Sequence, residues 1–350
     1  MPMPSDEDAS LKQESDCLSG SDVLTGPVAQ LLGLVHSGRK VSIQRAFHLA
    51  EGLGNPPAFE QSLQGLRLLY QLAFKSQCEK FDVSSLTKLF RLTQLEIKER
   101  RLTVLPESLG ALHNLKSVYC SYNHLQALPE SLGQLHKLKE LYCHSNQLQT
   151  LPASLGELHH LQTLDCSDNP LQVLPDSLGK LHNLRDLYCT DNQLQILPKS
   201  LGALYKLQSL ICSFNELQAL PESLGQLEDL RDLYCTSNQL RALPESVGQL
   251  HHLRRLYCTS NQLQALPESL SQLHDLRELD CSSNHLQALP ESLGQLHQLQ
   301  MLDCANNQLQ VLPESLASLP NLTWLDARHN PLIHIPSPLR RKKGLQLLVD

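Results

Sequence analysis

Residues 138–160 read LKELYCHSNQLQTLPASLGELHH, and residues 161–183 read LQTLDCSDNPLQVLPDSLGKLHN. The two stretches share one frame, L-x-x-L-x-C-x-x-N-x-L-x-x-L-P-x-S-L-G-x-L-x-x, with a period of 23 residues. Outward from this pair the frame restarts at 92, 115, 138, 161, 184, 207, 230, 253, 276, 299 and 322 without an insertion. Ser85, Leu86 and Leu89 read as part of an earlier repeat, and Leu345 and Leu348 as the start of a truncated last strand. Self-similarity at such a period is the signature of a solenoid.

Within one repeat, Leu141 and Cys143 alternate with Glu140, Tyr142 and His144, the period-two pattern of a short strand with one buried face. Pro152 lacks a backbone donor and closes that stretch. Leu155 and Leu158, three apart, fit a short helical turn facing inward. One unit cannot bury its own leucines, but stacked neighbours can. The expected fold is an α/β repeat solenoid, a horseshoe whose parallel sheet lines the concave side. Composition agrees: the chain of 350 residues is 41% hydrophobic but only 4% aromatic, so leucine must build the core.

The frame resembles the leucine-rich-repeat superfamily, whose core is L-x-x-L-x-L-x-x-N/C-x-L. Its L-P-x-S-L-G-x-L half is similar to bacterial repeat proteins and to the Ras-group intracellular repeat proteins. The resemblance implies the horseshoe fold and a role in binding other proteins, and says nearly nothing about which.

Residues 1–26 form an acidic tail, with Asp6, Glu7, Asp8, Glu14 and Asp16, that reads as disordered. Residues 27–81 read as a helical N-terminal cap, from apolar spacings of three and four in Val28–His36, Val41–Leu53 and Ala58–Phe74, broken by Gly38, Gly52, Gly54, Pro56 and Pro57. The solenoid is expected over 82–344 and the truncated strand over 345–350. Arg340–Lys343 reads as edge protection rather than a nucleic-acid or membrane patch. A net charge of −7 argues against nucleic acid, and no apolar run is long enough for a membrane span. The start of the chain lacks the basic and apolar regions of a secretory signal. A cytoplasmic protein is expected, with an exported bacterial effector as the alternative.

Asn recurs at the ninth position ten times, from Asn123 to Asn330, and is read as buried and bonded to backbone. Nine of the eleven cysteines stand at the sixth position, from Cys120 to Cys304. Neighbouring strands lie about 4.8 Å apart, wider than the roughly 3.8 Å between Cβ atoms that a disulfide prefers. Buried free thiols are therefore expected rather than disulfides or zinc. Cys166-Ser-Asp168 and Cys189-Thr-Asp191 resemble the C-x-D signature of bacterial ubiquitin ligases, but both cysteines belong to the buried column. His113, His136, His159, His182, His251, His274 and His297 should line an exposed rim. No catalytic constellation, cofactor motif or metal set stands out, so a non-enzymatic binding scaffold without cofactor is expected.

Partner information should lie in the outward strand positions. The fifth column carries Tyr119, Tyr142, Tyr188, Tyr234 and Tyr257, then Asp280, Asp303 and Asp326. The third column ends in Met301 and Trp324, the only Trp. Tyr and Trp are typical interface anchors. These tyrosines, the three aspartates and Trp324 are the expected contact residues of a monomeric scaffold. The partner is a protein, with a basic segment suited to the acidic strip. On sequence alone, three stacked aspartates repel one another and add nothing to the sheet.

Overall fold

A computed structural model describes residues 26–75 and 81–350, so the acidic tail, Cys17 and Cys78 lie outside the described residues. The chain divides into two compact units at Leu161–Gln162.

The first unit opens with helices α1 (Pro27–His36), α2 (Lys40–Gly52), α3 (Pro57–Phe74) and α4 (Val83–Phe90). Proline at the first turn of α1 and of α3 needs no backbone donor there. Asp82 caps α4 by accepting the Ser85 amide at 3.0 Å. Phe59, Leu66, Leu69, Leu86 and Leu89 fill the space between the helices. These helices form the N-terminal cap, and α3 packs on the first repeat's turn, Gly65 lying directly against Ser108 and Pro106. Ser85, Leu86 and Leu89, read as part of an early repeat, sit on a regular α-helix, with both leucines buried.

Strands β1 (Gln94–Glu96), β2 (Ser117–Tyr119) and β3 (Glu140–Tyr142) then pair in parallel, Leu95 opposite Val118 and Val118 opposite Leu141. Five-residue 3-10 turns at Glu107–Ala111, Glu130–Gln134 and Ala153–Glu157 complete the repeats. A 3-10 helix has three residues per turn, so Leu155 and Leu158 point the same way, and both are fully buried.

The second unit continues the pattern with β4 (Thr163–Asp165), β5 (Asp186–Tyr188), β6 (Ser209–Ile211), β7 (Asp232–Tyr234), β8 (Arg255–Tyr257), β9 (Glu278–Asp280), β10 (Met301–Asp303), β11 (Trp324–Asp326) and β12 (Gln346–Leu348). Its strands pair in parallel and in chain order. The register equals the repeat, so every side chain stacks on its own counterpart, until Trp324 pairs with Gln346, one residue short of the period. A four-residue helix, α5 (Ser337–Arg340), stands where earlier repeats have a 3-10 turn.

The chain leaves each strand through a left-handed residue at the eighth position, among them Phe214 (φ 54°), Ser237, Ser260 and Asn306, and none of them is glycine. The ninth-position Asn follows. Asn215 donates from Nδ2 to the carbonyls of Cys189, Cys212 and Ser213 at 2.9–3.1 Å, and its Oδ1 accepts the Leu194 amide at 3.0 Å. Asn238, Asn261, Asn284 and Asn307 repeat the arrangement. The column thus joins consecutive repeats at the point where strand pairing ends.

Candidate functional site on the exposed sheet face

The nine repeat cysteines are fully buried and free. In the second unit each thiol donates to the carbonyl beneath the next strand's fifth residue, as Cys212 does to Tyr234 at 3.4 Å and Cys281 to Asp303 at 3.3 Å. Burial pushes the Cys120 and Cys212 thiols up to about 12 and raises those of Cys166 and Cys189 as well. A nucleophilic cysteine needs the opposite shift, so the two C-x-D matches are packing residues. Native thiol titration is expected to leave these nine unreacted until denaturant is added; fast labelling of most of them in buffer would contradict the buried column.

In the first unit, Tyr119 and Tyr142 stack with ring centroids 5.0 Å apart and planes 9° from parallel. Tyr119 Oη and Ser117 Oγ donate to one Glu140 carboxylate oxygen at 2.8 and 3.0 Å, and Lys98 Nζ lies 4.8 Å from the Tyr119 ring centre. In the second unit, Tyr234 and Tyr257 meet edge to face at 4.7 Å. The Arg255 guanidinium pairs with Asp232 at 2.5 Å and reaches the Tyr234 ring at 5.8 Å. Tyr257 donates its hydroxyl to Glu278; burial first, and this carboxylate second, push its pKa up. Tyr188 is half-buried on the same column. Tyr119, Tyr142, Tyr234 and Tyr257 are thus each held against a neighbouring ring.

The acidic strip requires a correction. Asp280 Oδ1 accepts the Ser282 amide at 3.0 Å and its hydroxyl at 2.7 Å. Asp303 accepts the Ala305 amide at 3.0 Å, and Asp165 the Ser167 amide at 3.1 Å. Asp326 accepts the Arg328 amide and Nε, both at 3.0 Å, and pairs with its terminal nitrogen. The sheet therefore does gain from these residues: each carboxylate satisfies a backbone donor where its strand ends. Asp326 is only 2% exposed, so Arg328 rather than Asp326 meets solvent there. Trp324 and Met301, in register on β11 and β10, are half-buried.

Asp303 lies between the other two carboxylates. Burial, followed by the charges of Asp280 and Asp326, raises its pKa to about 6. A carboxyl raised in the fold binds protons there that the unfolded chain has released, so stability falls as pH rises from about 4 to 6. Asp326, lowered by Arg328, acts in the other sense, contributing stability that is lost in acid. Asp303→Asn keeps the acceptor for Ala305 and removes the charge. It is expected to stabilise by about 1 kcal/mol above pH 7, solvent screening included, with the gain fading by pH 4. Paired melts across that range check it; a gain independent of pH would rule out the charge as its source.

The histidine rim is exposed, with His252 pairing with Asp275 at 3.4 Å. Among the described residues, no group of three His, Cys, Asp or Glu is placed to hold a metal. No helix there is long and apolar enough to cross a membrane. One feature escaped the sequence reading. Arg231, Arg254 and Arg277, in the second column, are exposed and line one cleft with Asp232, Arg255 and Glu278. Strict alternation would turn the second column inward, but β7, β8 and β9 begin one residue later, so it does not govern these arginines.

The sequence matches the family described as leucine-rich repeat region over residues 144–238, leucine rich repeat over 229–286 and 274–332, and leucine rich repeats (2 copies) over 113–156. The chain belongs to the leucine-rich-repeat superfamily. Among solved structures it is similar to a Leptospira interrogans leucine-rich-repeat protein at 28% identity, covering 75% of this chain and 86% of that one with a TM-score of 0.54. It is similar at 31% identity to the Arabidopsis receptor kinase HAESA, solved in complex with the peptide hormone IDA and the co-receptor SERK1, covering 71% of this chain and 44% of that one, TM-score 0.61. The functional domain of InlJ from Listeria monocytogenes, which includes a cysteine ladder, shares the fold at 24% identity, covering 80% of this chain and 67% of that one, TM-score 0.56. A search of curated proteins finds no match. Members of this superfamily are typically non-catalytic binding modules, and the fold supports a protein-interaction scaffold in general.

Proposed function

We propose that this leucine-rich-repeat protein binds a protein partner, without catalysis, on the exposed face of its sheet. The observation that carries the reading is the fifth column itself. Tyr119 and Tyr142 in the first unit, and Tyr188, Tyr234 and Tyr257 in the second, stand half-buried on the outward side of their strands, four of them in ring-to-ring contact with a neighbour. Aromatic side chains already held in place lose little freedom on binding. HAESA, solved with a peptide hormone, supports a protein or peptide ligand for the fold.

Within the second unit, Asp280, Asp303 and Trp324 form the anchor for a basic segment. Trp324 supplies apolar area, the aspartates steer by charge, and Asp326 contributes through the Arg328 it holds. The test is a pulldown with the intact chain, identification of the bound protein, and binding constants for variants. Trp324→Ala is expected to weaken binding by about 2 kcal/mol. Replacing Asp280 and Asp303 with Asn is expected to slow association at low salt. Because Asp303 takes up a proton near pH 6, wild-type association should also slow as the pH falls through that value. Normal binding by all these variants would move the site to the tyrosines, and normal binding by a tyrosine-depleted chain as well would end the sheet-face reading.

A further inference from the structure

We infer that the cleft at the start of β7, β8 and β9 is a carboxylate-recognition subsite for an acidic stretch of a protein partner. The inference rests on the sheet-face reading and names a second element of the ligand. Arg231, Arg254 and Arg277 stand one per repeat, directly before the three strands. Their backbones form one ladder, the Arg254 amide donating to the Arg231 carbonyl at 2.8 Å and the Arg277 amide to the Arg254 carbonyl at 2.9 Å. Three guanidiniums are thereby set side by side on strands about 4.8 Å apart. Like charges directly opposite one another on neighbouring strands destabilise a sheet.

Among the described residues, no carboxylate is paired against this row: no ion pair reaches Arg231, Arg254 or Arg277. The nearby carboxylates are engaged elsewhere: Asp232 with Arg255, Glu278 with the Tyr257 hydroxyl, and Asp275 with His252. The cleft therefore holds four guanidiniums against two carboxylates, in a chain whose net charge is −7. An exposed, unpaired cationic row inside an acidic protein is the complement of an anion supplied from outside.

The floor of the cleft selects which anion. Asp232 and Glu278 alternate with Arg255 along the third column, and their charges oppose a continuous phosphate backbone. The row also spans only three strands, a short track for a nucleic acid. Guanidinium forks accept carboxylates through paired hydrogen bonds, and Tyr234 and Tyr257 lie on the same strands to receive a peptide's apolar parts. Arg and Tyr together are the composition of protein–protein hot spots.

The experiment uses the full chain and a short labelled peptide alternating glutamate and glycine, with a glutamine–glycine peptide and a single-stranded oligonucleotide as competitors, read by fluorescence anisotropy at low and moderate salt. The glutamate peptide is expected to bind saturably and the glutamine peptide not to. The triple variant Arg231→Gln, Arg254→Gln, Arg277→Gln should weaken binding by at least about tenfold while melting at the same or a higher temperature, since the repulsion is gone. Trp324→Ala should leave glutamate-peptide affinity unchanged, which separates this subsite from the anchor for a basic segment. Absence of glutamate-peptide binding, an unaffected triple variant, a triple variant that melts markedly lower, or tighter binding of the oligonucleotide through the same arginines would each overturn the assignment.

Discussion

Asn215→Ala is expected to lower the free energy of unfolding by about 3 kcal/mol, with the transition otherwise unchanged in steepness. Asn215 is 8% exposed and uses both ends of its amide on backbone, three carbonyls at one end and the Leu194 amide at the other. Alanine would leave these groups without a partner where the strand ladder has ended. A buried unsatisfied backbone group costs about 1–3 kcal/mol, and the Leu194 amide loses the acceptor it has in the fold. Asn215→Asp separates the two ends: it keeps the acceptor, loses the donors and sets a carboxylate against three carbonyl oxygens. It should therefore be worse than alanine at neutral pH and recover in acid, where the protonated carboxyl can donate once. Gln218→Ala, on an exposed side chain seven residues past the end of β6, is the control and should stay within about 0.5 kcal/mol of the parent. Urea midpoints with a constant slope measure all three. A loss under about 0.3 kcal/mol for Asn215→Ala would mean that solvent replaces the side chain.

The difference between what was legible in the sequence and what was not follows from the kind of information each feature needs. The leucine, asparagine and cysteine columns are set by burial at fixed spacing. An unbroken period puts Leu187, Leu210 and Leu233 opposite one another in register, so one correctly read repeat yields nearly all of them. Helical spacing gives the first three cap helices, but Ser85, Leu86 and Leu89 read as an early repeat and lie on α4 instead. By contrast, whether Asp303 accepts the Ala305 amide depends on how the backbone turns after the strand, through the left-handed Asn306. Residue type at the fifth position does not carry that geometry. Nor does it reveal that Arg328 folds back over Asp326. The arginine cleft was present in the sequence as a 23-residue recurrence, but in the second column, outside the third and fifth positions that the strand alternation turns outward. Side-chain pairing then left Arg231, Arg254 and Arg277 free while engaging Asp232 and Glu278, and only three-dimensional placement shows this.

Gly225→Ala is expected to cost about 3 kcal/mol, a large effect for a single methyl group. Gly225 lies in the 3-10 turn Glu222–Gln226 and is buried against the next turn, Glu245–Gln249. A Cβ there would stand 2.6 Å from the Ser246 carbonyl oxygen, 2.6 Å from Gln249 Oε1 and 2.9 Å from Ser246 Cβ. The glutamine end can swing away, but the carbonyl belongs to a backbone tied by the Leu250-to-Val247 hydrogen bond at 3.1 Å and cannot. Glycine is therefore required here for space and not for an unusual backbone angle. Overpacking of this kind costs about 1–3 kcal/mol, and the upper end applies because the two turns must part along their whole contact. Ser271 occupies the same column, and around it the packing is looser: Ser271 and the following Gly294 are half-exposed, whereas Gly225 is buried. The fold can thus open at one turn, at the expense of burial. Ser246 Oγ is itself buried without a hydrogen-bond partner among the described residues, whereas Ser223 and Ser315 in the same column donate to the Lys199 and Glu291 carbonyls, so bonding is not what holds serine at position 246. Ser246→Gly in the Gly225→Ala background removes the Cβ at 2.9 Å but not the carbonyl at 2.6 Å. Denaturation of the two single variants and the double should show a partial rescue, less than half of the loss. Complete rescue would place the limit on turn spacing in the serine side chain, and no loss in the single variant would mean that the turns have room the geometry denies.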